Sequence, residues 1–280
     1  IIRIMEPVTL LFLAAGLSSR FGGNPKMLSK IGPNNESLFE MSIRQLKDRI
    51  KVCHIHLVVN SFNQKDIINE VISVSKKYNI CEKITHNIQI IPAFREKPFG
   101  TADALASAYT YIKTPFLLMN SDDLYDFKTF DLISNECIIT KNYLIGFKLG
   151  STLLGNKKAN RGFINNDKSG NILSLQEKLN IERAYYSQLE LDNTYVSVNL
   201  LLLQPKILKD LTLMISDFKE ECEDRYDRTS EALLPDFLNK LIKDDLLTLE
   251  ILKSPGDWNG ITYQDDVNSI RKSIRKSIKN

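Results

Sequence analysis

The chain has 280 residues, 43% of them hydrophobic and 25% charged, with a formal net charge of +3. That balance fits a globular α/β enzyme and excludes a disordered chain, and the small charge without a basic block argues against a nucleic-acid partner. The longest apolar run, Val8 to Ala15, is too short to span a bilayer and no signal-peptide pattern precedes it, so no membrane partner is expected.

Cys53, Cys81, Cys137 and Cys222 form no C-x-x-C pair, which points away from a zinc site or disulfide framework and toward a cytoplasmic location. With no internal repeat, linker or break in composition, residues 1–280 read as a single domain. Met5 is the expected natural start, with residues 1–7 outside the ordered part. A homo-oligomer is compatible with the sequence and is not specified by it.

In chain order, Val8–Leu13 reads as a continuous apolar strand. Ser37 followed by Glu40 signals a capping box, opening a helix to about Arg49. Ile55–Val59 is the next strand and Asn63–Lys77 the next helix. Ile88–Ile91 reads as a third strand, Thr101–Ile112 as a third helix, and Phe116–Met119 as a fourth strand. Apolar strands alternating with helices imply a mostly parallel sheet covered on both faces. Later, Arg161–Asn165 and Asn171–Gln176 flank a turn at Asp167–Gly170 and predict an antiparallel hairpin. Tyr195–Leu203 is another strand, a helix starts at Gln204-Pro205, Glu231–Lys243 is a helix, and 264–280 is a terminal helix. The fold class is therefore α/β, a Rossmann-like three-layer sandwich with a mostly parallel but mixed central sheet.

Three segments carry chemistry. Leu13-Ala14-Ala15-Gly16 and the loop to Lys26 follow the first strand: small residues let a backbone approach a ligand, Arg20 offers a planar fork for a triphosphate, and Lys26 offers a compact charge. Neither the P-loop nor the dinucleotide fingerprint is present. Gly100 and Thr101 open a helix whose free N–H groups suit anions or a base edge. Asp122 and Asp123 follow the fourth strand, where a carboxylate can hold Mg²⁺ against phosphates. Taken alone, the first segment reads as functional through its ordered set with Arg20 and Pro25-Lys26, the second reads equally as a helix cap, and the third reads first as a solvated acidic turn. All three, however, follow parallel strands, whose carboxyl ends form one crevice in sheets of this kind. Further on, Glu177 could accept from hydroxyls and Lys178 could hold a phosphate. His54, His56 and His86 show neither metal spacing nor a nucleophile partner.

These residues are the ones by which the chain resembles the sugar-phosphate nucleotidyltransferases, in a branch without a β-helix extension. Leu13–Lys26 looks like the family's signature, Gly100–Ala104 like its G-T-A-x-A segment, and Asp122 falls on its metal aspartate. Arg161-Gly162, Glu177-Lys178 and the Val196–Asn199 strand look like acceptor segments, so the resemblance implies that Gly162, Glu177, Lys178 and Asn199 bind the acceptor. It also implies Mg²⁺ as cofactor, with Asp257 as second metal ligand and Asn259 or Asp265 as competitors. The reaction implied is transfer of a nucleotidyl group from an NTP to a sugar 1-phosphate with release of pyrophosphate, catalysed by Arg20, Lys26 and Asp122. Leu13, Ala14, Ala15, Gly16, Gly100 and Thr101 would bind the nucleotide. Arg95 stands where several uridylyl- and thymidylyltransferases carry glutamine; a donor-only group there tilts the expected base toward cytosine. The alternatives are a cytidylyltransferase acting on a phosphorylated amino-alcohol or polyol, a glycosyltransferase of similar fold, and a degenerate nucleotide-binding regulatory subunit.

Overall fold

The first strand, β1 (Val8–Ala14), is apolar throughout because it lies in the middle of the sheet and is buried on both faces. The computed structural model describes residues 6–18, 21–153, 155, 157–261, 266–268 and 270–271. After β1 come α1 (Leu38–Leu46), β2 (Val52–Val59), α2 (Gln64–Tyr78), β3 (Ile84–Ile88), α3 (Thr101–Ser107), β4 (Phe116–Asn120), β5 (Asp123–Tyr125), α4 (Phe127–Glu136) and β6 (Tyr143–Lys148). The second half holds α5 (Leu149–Thr152), β7 (Ala159–Asn166), β8 (Ile172–Ile181), α6 (Gln188–Asn193), β9 (Tyr195–Leu203), α7 (Ile207–Asp224), α8 (Leu234–Lys243), β10 (Glu250–Lys253) and β11 (Trp258–Gly260).

The main sheet runs β10-β6-β9-β4-β1-β2-β3. β1 is parallel to β2 and β4, β2 to β3, and β10 to β6, whereas β9 enters antiparallel between β4 and β6. The β7–β8 hairpin attaches antiparallel through Gly162↔Ser197 and Phe163↔Val196. Alternation along β1 divides the core. Leu10 and Phe12 join Phe39, Ile43, Val71 and Phe130 beneath α1, α2 and α4; Leu11 and Leu13 join Leu105, Leu208, Leu211 and Phe237 beneath α3, α7 and α8. This is the three-layer sandwich, helices on both faces of a mixed sheet.

Several boundaries differ from the expected ones. The Ser37 hydroxyl does accept from the Glu40 N–H, but the Glu40 carboxylate is bound by Lys77 and Tyr78 instead of returning to the cap, so the box is half-made. The third strand is Ile84–Ile88, four residues earlier than expected. Its polar side chains hid it: the half-buried Thr85 bonds the buried His54 and His56 on β2, and the half-buried Asn87 bonds His56, a polar ladder in place of apolar alternation. The third helix stops at Ser107. The helix expected from Glu231 starts at Leu234, with Pro235 in its first turn, where its missing N–H costs nothing. Of the expected 264–280 helix, 266–268 and 270–271 are helical and the rest lies outside the described residues. Residues 1–5 also lie outside them, and Glu6 and Pro7 precede β1 without regular structure.

Candidate active site

The carboxyl ends of β1, β2 and β4 face one crevice, and the loop after β1 is fixed to it from a neighbouring strand. Asn60, at the end of β2, donates its amide to the carbonyls of Ala15 and Gly16. Ser18 adopts a left-handed backbone conformation (φ 49°), and its carbonyl accepts from the N–H groups of Phe21 and Gly23. Gly22 and Gly23 both have positive φ, which side-chain-bearing residues rarely adopt. The loop ends at Pro25, whose successor Lys26 swings back over the crevice.

There the Lys26 ammonium donates to the Asp122 carboxylate at 2.7 Å, with both side chains partly shielded from solvent. Asp122 lines three adjoining cavities. One of about 610 Å³ is walled by Leu13, Ala15, Gly16, Gly100, Thr101 and Gln89. A small one of about 90 Å³ lies between Ala14, Gly16, Pro25 and Lys26. A third of about 160 Å³ is lined by Asn120, Asn160, Arg161, Glu177, Ser197, Asn199 and Trp258. Asn199, at φ +63°, lines both the first and the third. Strained backbone of this kind at a cleft marks a place where surrounding structure dictates side-chain direction.

The two carboxylates after β4 have separate fates. Asp122 faces the crevice, whereas Asp123 is buried and accepts from Asn120 and Tyr125 at 3.0 Å each. Burial, reinforced by the neighbouring Asp122 charge, pushes the Asp123 carboxyl up to about 7. In the third cavity burial likewise pushes the Glu177 carboxyl up to about 7. The nearby Asp236 adds to the shift and the Arg161 guanidinium opposes it.

Leu13, Ala14, Ala15, Gly16, Lys26, Gly100, Thr101, Asp122, Glu177 and Asn199 thus converge on one group of cavities. Gly162 stands behind the third: a side chain there would meet Pro235 and Ser197, so glycine lets β7 approach α8 and β9. Arg20 and Asp265 lie outside the described residues.

Three expectations are corrected. Arg95 does not reach the cleft. Its guanidinium donates to the carbonyls of Asp227 (2.7 Å), Ser230 (2.5 Å) and Lys97 (3.4 Å) and stacks 4.2 Å from the Phe99 ring centroid, so it ties down the 227–231 loop, and the inference toward cytosine falls with it. Lys178 is exposed, its ammonium 4.1 Å from the Phe163 ring centroid and outside the cavities that Asp122 lines. Asp257 sits opposite Asp126, whose N–H it accepts, at the far end of the β5–β11 pair. At about 3.3 Å per residue, that is roughly 10–13 Å along the strands from Asp122, and Asp257 lines none of the three cavities that Asp122 lines. Asp257 and Asn259 face a different cavity with Arg183.

The helix N-terminus also behaves differently from expectation. The Ala102 N–H donates to the Ala232 carbonyl and the Thr101 hydroxyl accepts from Leu234, so the start of α3 holds the α8 entrance. Gly100, at φ +106°, has no room for a side chain: a Cβ would lie 2.6 Å from the Ala232 oxygen. Gln89 and Asn120 are cavity residues to which sequence reasoning gave no role, and Arg161, named there only as part of an acceptor segment, lines the third cavity. The available signal for Gln89 was a lone amide within the apolar run Ile88-Gln89-Ile90, obscured by the misplaced third strand. Among the described residues no helix is long and apolar enough to cross a membrane.

Comparison with known proteins bears on the family and the fold. Residues 22–253 match the family model described as nucleotidyl transferase. No curated protein matches the chain in sequence. Among solved structures, the chain is similar to the inositol-1-phosphate CTP transferase from T. maritima, at 15% identity and a TM-score of 0.64 over 98% of both chains. It is similar to a putative glucose-1-phosphate thymidylyltransferase from Bacillus anthracis (14%, 0.65, covering 96% and 95%) and to a UDP-glucose pyrophosphorylase complexed with UDP-glucose (13%, 0.66, covering 97% and 99%). Likenesses at this identity establish the fold.

Proposed function

The chain belongs to the nucleotidyl transferase family, and from that premise we propose that it transfers a nucleoside monophosphate from an NTP to a sugar 1-phosphate, releasing pyrophosphate. The observation that carries this reading is the place of Asp122: one carboxylate, paired with Lys26, at the junction of a nucleotide-sized cavity and a smaller polar one. An acceptor in the polar cavity and a triphosphate in the larger one would meet there.

An oxygen of the acceptor's phosphate, ionised at neutral pH, forms a bond to the α-phosphorus as the bond from that phosphorus to the bridging oxygen breaks, and pyrophosphate leaves with the electron pair. The protein supplies position and charge rather than a nucleophile. Lys26 is placed to neutralise charge that builds on the α-phosphoryl oxygens, with Arg20, from the same loop, as a second cation. Asp122 would hold the Mg²⁺. Among the described residues no three-carboxylate or histidine cluster could hold an ion alone, and Mg²⁺ bound through one carboxylate, waters and substrate phosphates needs none. When bound, the ion would neutralise triphosphate charge.

The acceptor cavity favours a polyhydroxylated ring. Asn160, Asn199, Ser197 and Glu177 offer partners for hydroxyls. The aromatic ring in its lining, Trp258, is already covered by the Arg161 guanidinium 4.6 Å from its centroid, so it offers no open face to a quaternary ammonium. Four free thiols suit a reducing cytoplasmic setting. The test is pyrophosphate release across NTPs crossed with sugar 1-phosphates, phosphorylated polyols and phosphocholine. Turnover confined to phosphocholine, or absent with every pair in Mg²⁺, would overturn the proposal.

A further inference from the structure

Beside the two large halves of the core stands a third, smaller one. Phe21, Ile31, Met41, Leu124, Ile261 and Ile270 belong to a separate buried cluster, with Val267 packed against it. Its members adjoin the groups that would meet phosphate. Phe21 follows Arg20 in the chain, Ile31 comes shortly after Lys26, and Leu124 shortly after Asp122. The Ile261 N–H donates to the Asp122 carbonyl at 3.0 Å, so the same cluster is bonded to the turn that carries the carboxylate.

Phe21 anchors the loop after β1. Gly22, Gly23 and Asn24 are exposed, both glycines have positive φ, and nothing lies within 4 Å of where a side chain on either would begin. The buried Phe21 ring is therefore what holds this stretch down. Ile270 closes the cluster from the far end of the sequence. It is 2% exposed in a segment otherwise rich in lysine, arginine and serine, and its spacing from Val267 puts both on one helical face. The segment is tied at both ends. Asp266 pairs with Lys157, ahead of β7, and the Arg271 guanidinium donates to the Lys30 carbonyl, from Nε at 2.8 Å and also from Nη2.

We propose that Ile270 is a positioning residue for triphosphate binding: it completes the socket of Phe21 and so holds the loop that carries Arg20 and Lys26 in register with the nucleotide's phosphates. A void left at Ile270 lets the Phe21 ring shift to fill it, and a loop with two glycines offers little resistance to following. This inference rests on the nucleotidyl transfer reading for the identity of the ligand. It goes beyond that reading in assigning a role to a residue that lines none of the cavities around Asp122.

The experiment measures equilibrium binding in Mg²⁺ without acceptor, so that turnover does not enter. One probe is inorganic pyrophosphate, which addresses the loop whatever the base; the other is the tightest-binding of UMP, CMP, GMP and AMP. Ile270→Ala should weaken pyrophosphate by about ten- to hundredfold, the loss of a well-aligned charge-assisted contact, and the monophosphate by no more than about threefold. A merely structural role would lower the melting temperature and move both probes alike. Ile270→Val, which keeps most of the volume, should bind pyrophosphate within about threefold of the wild type. Arg271→Ala removes the tether and no buried apolar group, and carries the test should Ile270→Ala fail to fold; it should weaken pyrophosphate by about threefold or more and spare the monophosphate. Equal losses for the two probes, pyrophosphate binding unchanged in folded Ile270→Ala or in its stand-in Arg271→Ala, or a wild type that fails to bind either probe would overturn the proposal. Selective loss of pyrophosphate in a protein that transfers nothing to any acceptor would leave this inference standing and sink the transfer reaction.

Discussion

Removing the Glu177 charge should make the protein's stability less sensitive to a rise in pH from acid to neutral. In the unfolded chain this carboxyl titrates near 4.5; in the fold it is pushed up to about 7, first by burial and then by Asp236, with Arg161 pulling the other way. The folded-state value is the higher one, so the group's favourable contribution is complete below about pH 4.5. Between 4.5 and about 7 the unfolded chain releases a proton that the folded protein keeps, and stability falls as pH rises. At 1.36 kcal/mol per pKa unit the full loss by pH 8 is about 3 kcal/mol, an upper value because Glu177 opens on a cavity that water can reach. Glu177→Gln keeps the shape and has no charge to bury. Urea unfolding of wild type and variant in metal-free buffer at pH 4.5, 6 and 8 isolates the effect, because Asp123, which titrates in the same direction, is common to both. The variant should gain on the wild type with each step in pH, by about 1–3 kcal/mol in all. A difference that stays constant from pH 4.5 to 8 would refute the burial argument.

Lys26→Ala should lower kcat by about 10²–10³-fold with the circular dichroism spectrum unchanged, since the lost charge acts on the transition state; steady-state kinetics at saturating substrate check this. Asp122→Asn should abolish Mg²⁺-dependent turnover, while Asp257→Asn, roughly 10–13 Å down the β5–β11 pair, should leave the Mg²⁺ titration curve in place. Arg95→Gln should cost about 1–3 kcal/mol in urea unfolding, because the Asp227 and Ser230 carbonyls lose their partner, yet leave the UTP-to-CTP ratio of kcat/KM unchanged.

The sequence by itself determined the layered architecture and most of the crevice. Strands such as Val8–Ala14 and Tyr195–Leu203 are legible because burial on both faces demands unbroken apolar runs, and the residues after β1 and β4 could be placed at one edge because parallel strands end together. The signal failed where a half-buried edge strand carries polar side chains. Thr85 and Asn87 pair across to histidines on β2, so β3 showed no apolar period and Gln89 at its end went unassigned. Tertiary structure alone decided which way charged side chains point. Arg95 and Lys178 carry the right charge in the right segments, but one is drawn to carbonyls 132 and 135 residues away and the other lies on Phe163. Likewise, nothing local distinguishes Asp122 from Asp123. Lys26, 96 residues distant, meets the first, and Asn120 and Tyr125 enclose the second. Even the near neighbours Asn120 and Tyr125 close on Asp123 only because the turn after β4 faces inward there, and for Arg95 and Lys26 the partner comes from a segment remote in sequence, a contact of which residue type and spacing carry no record.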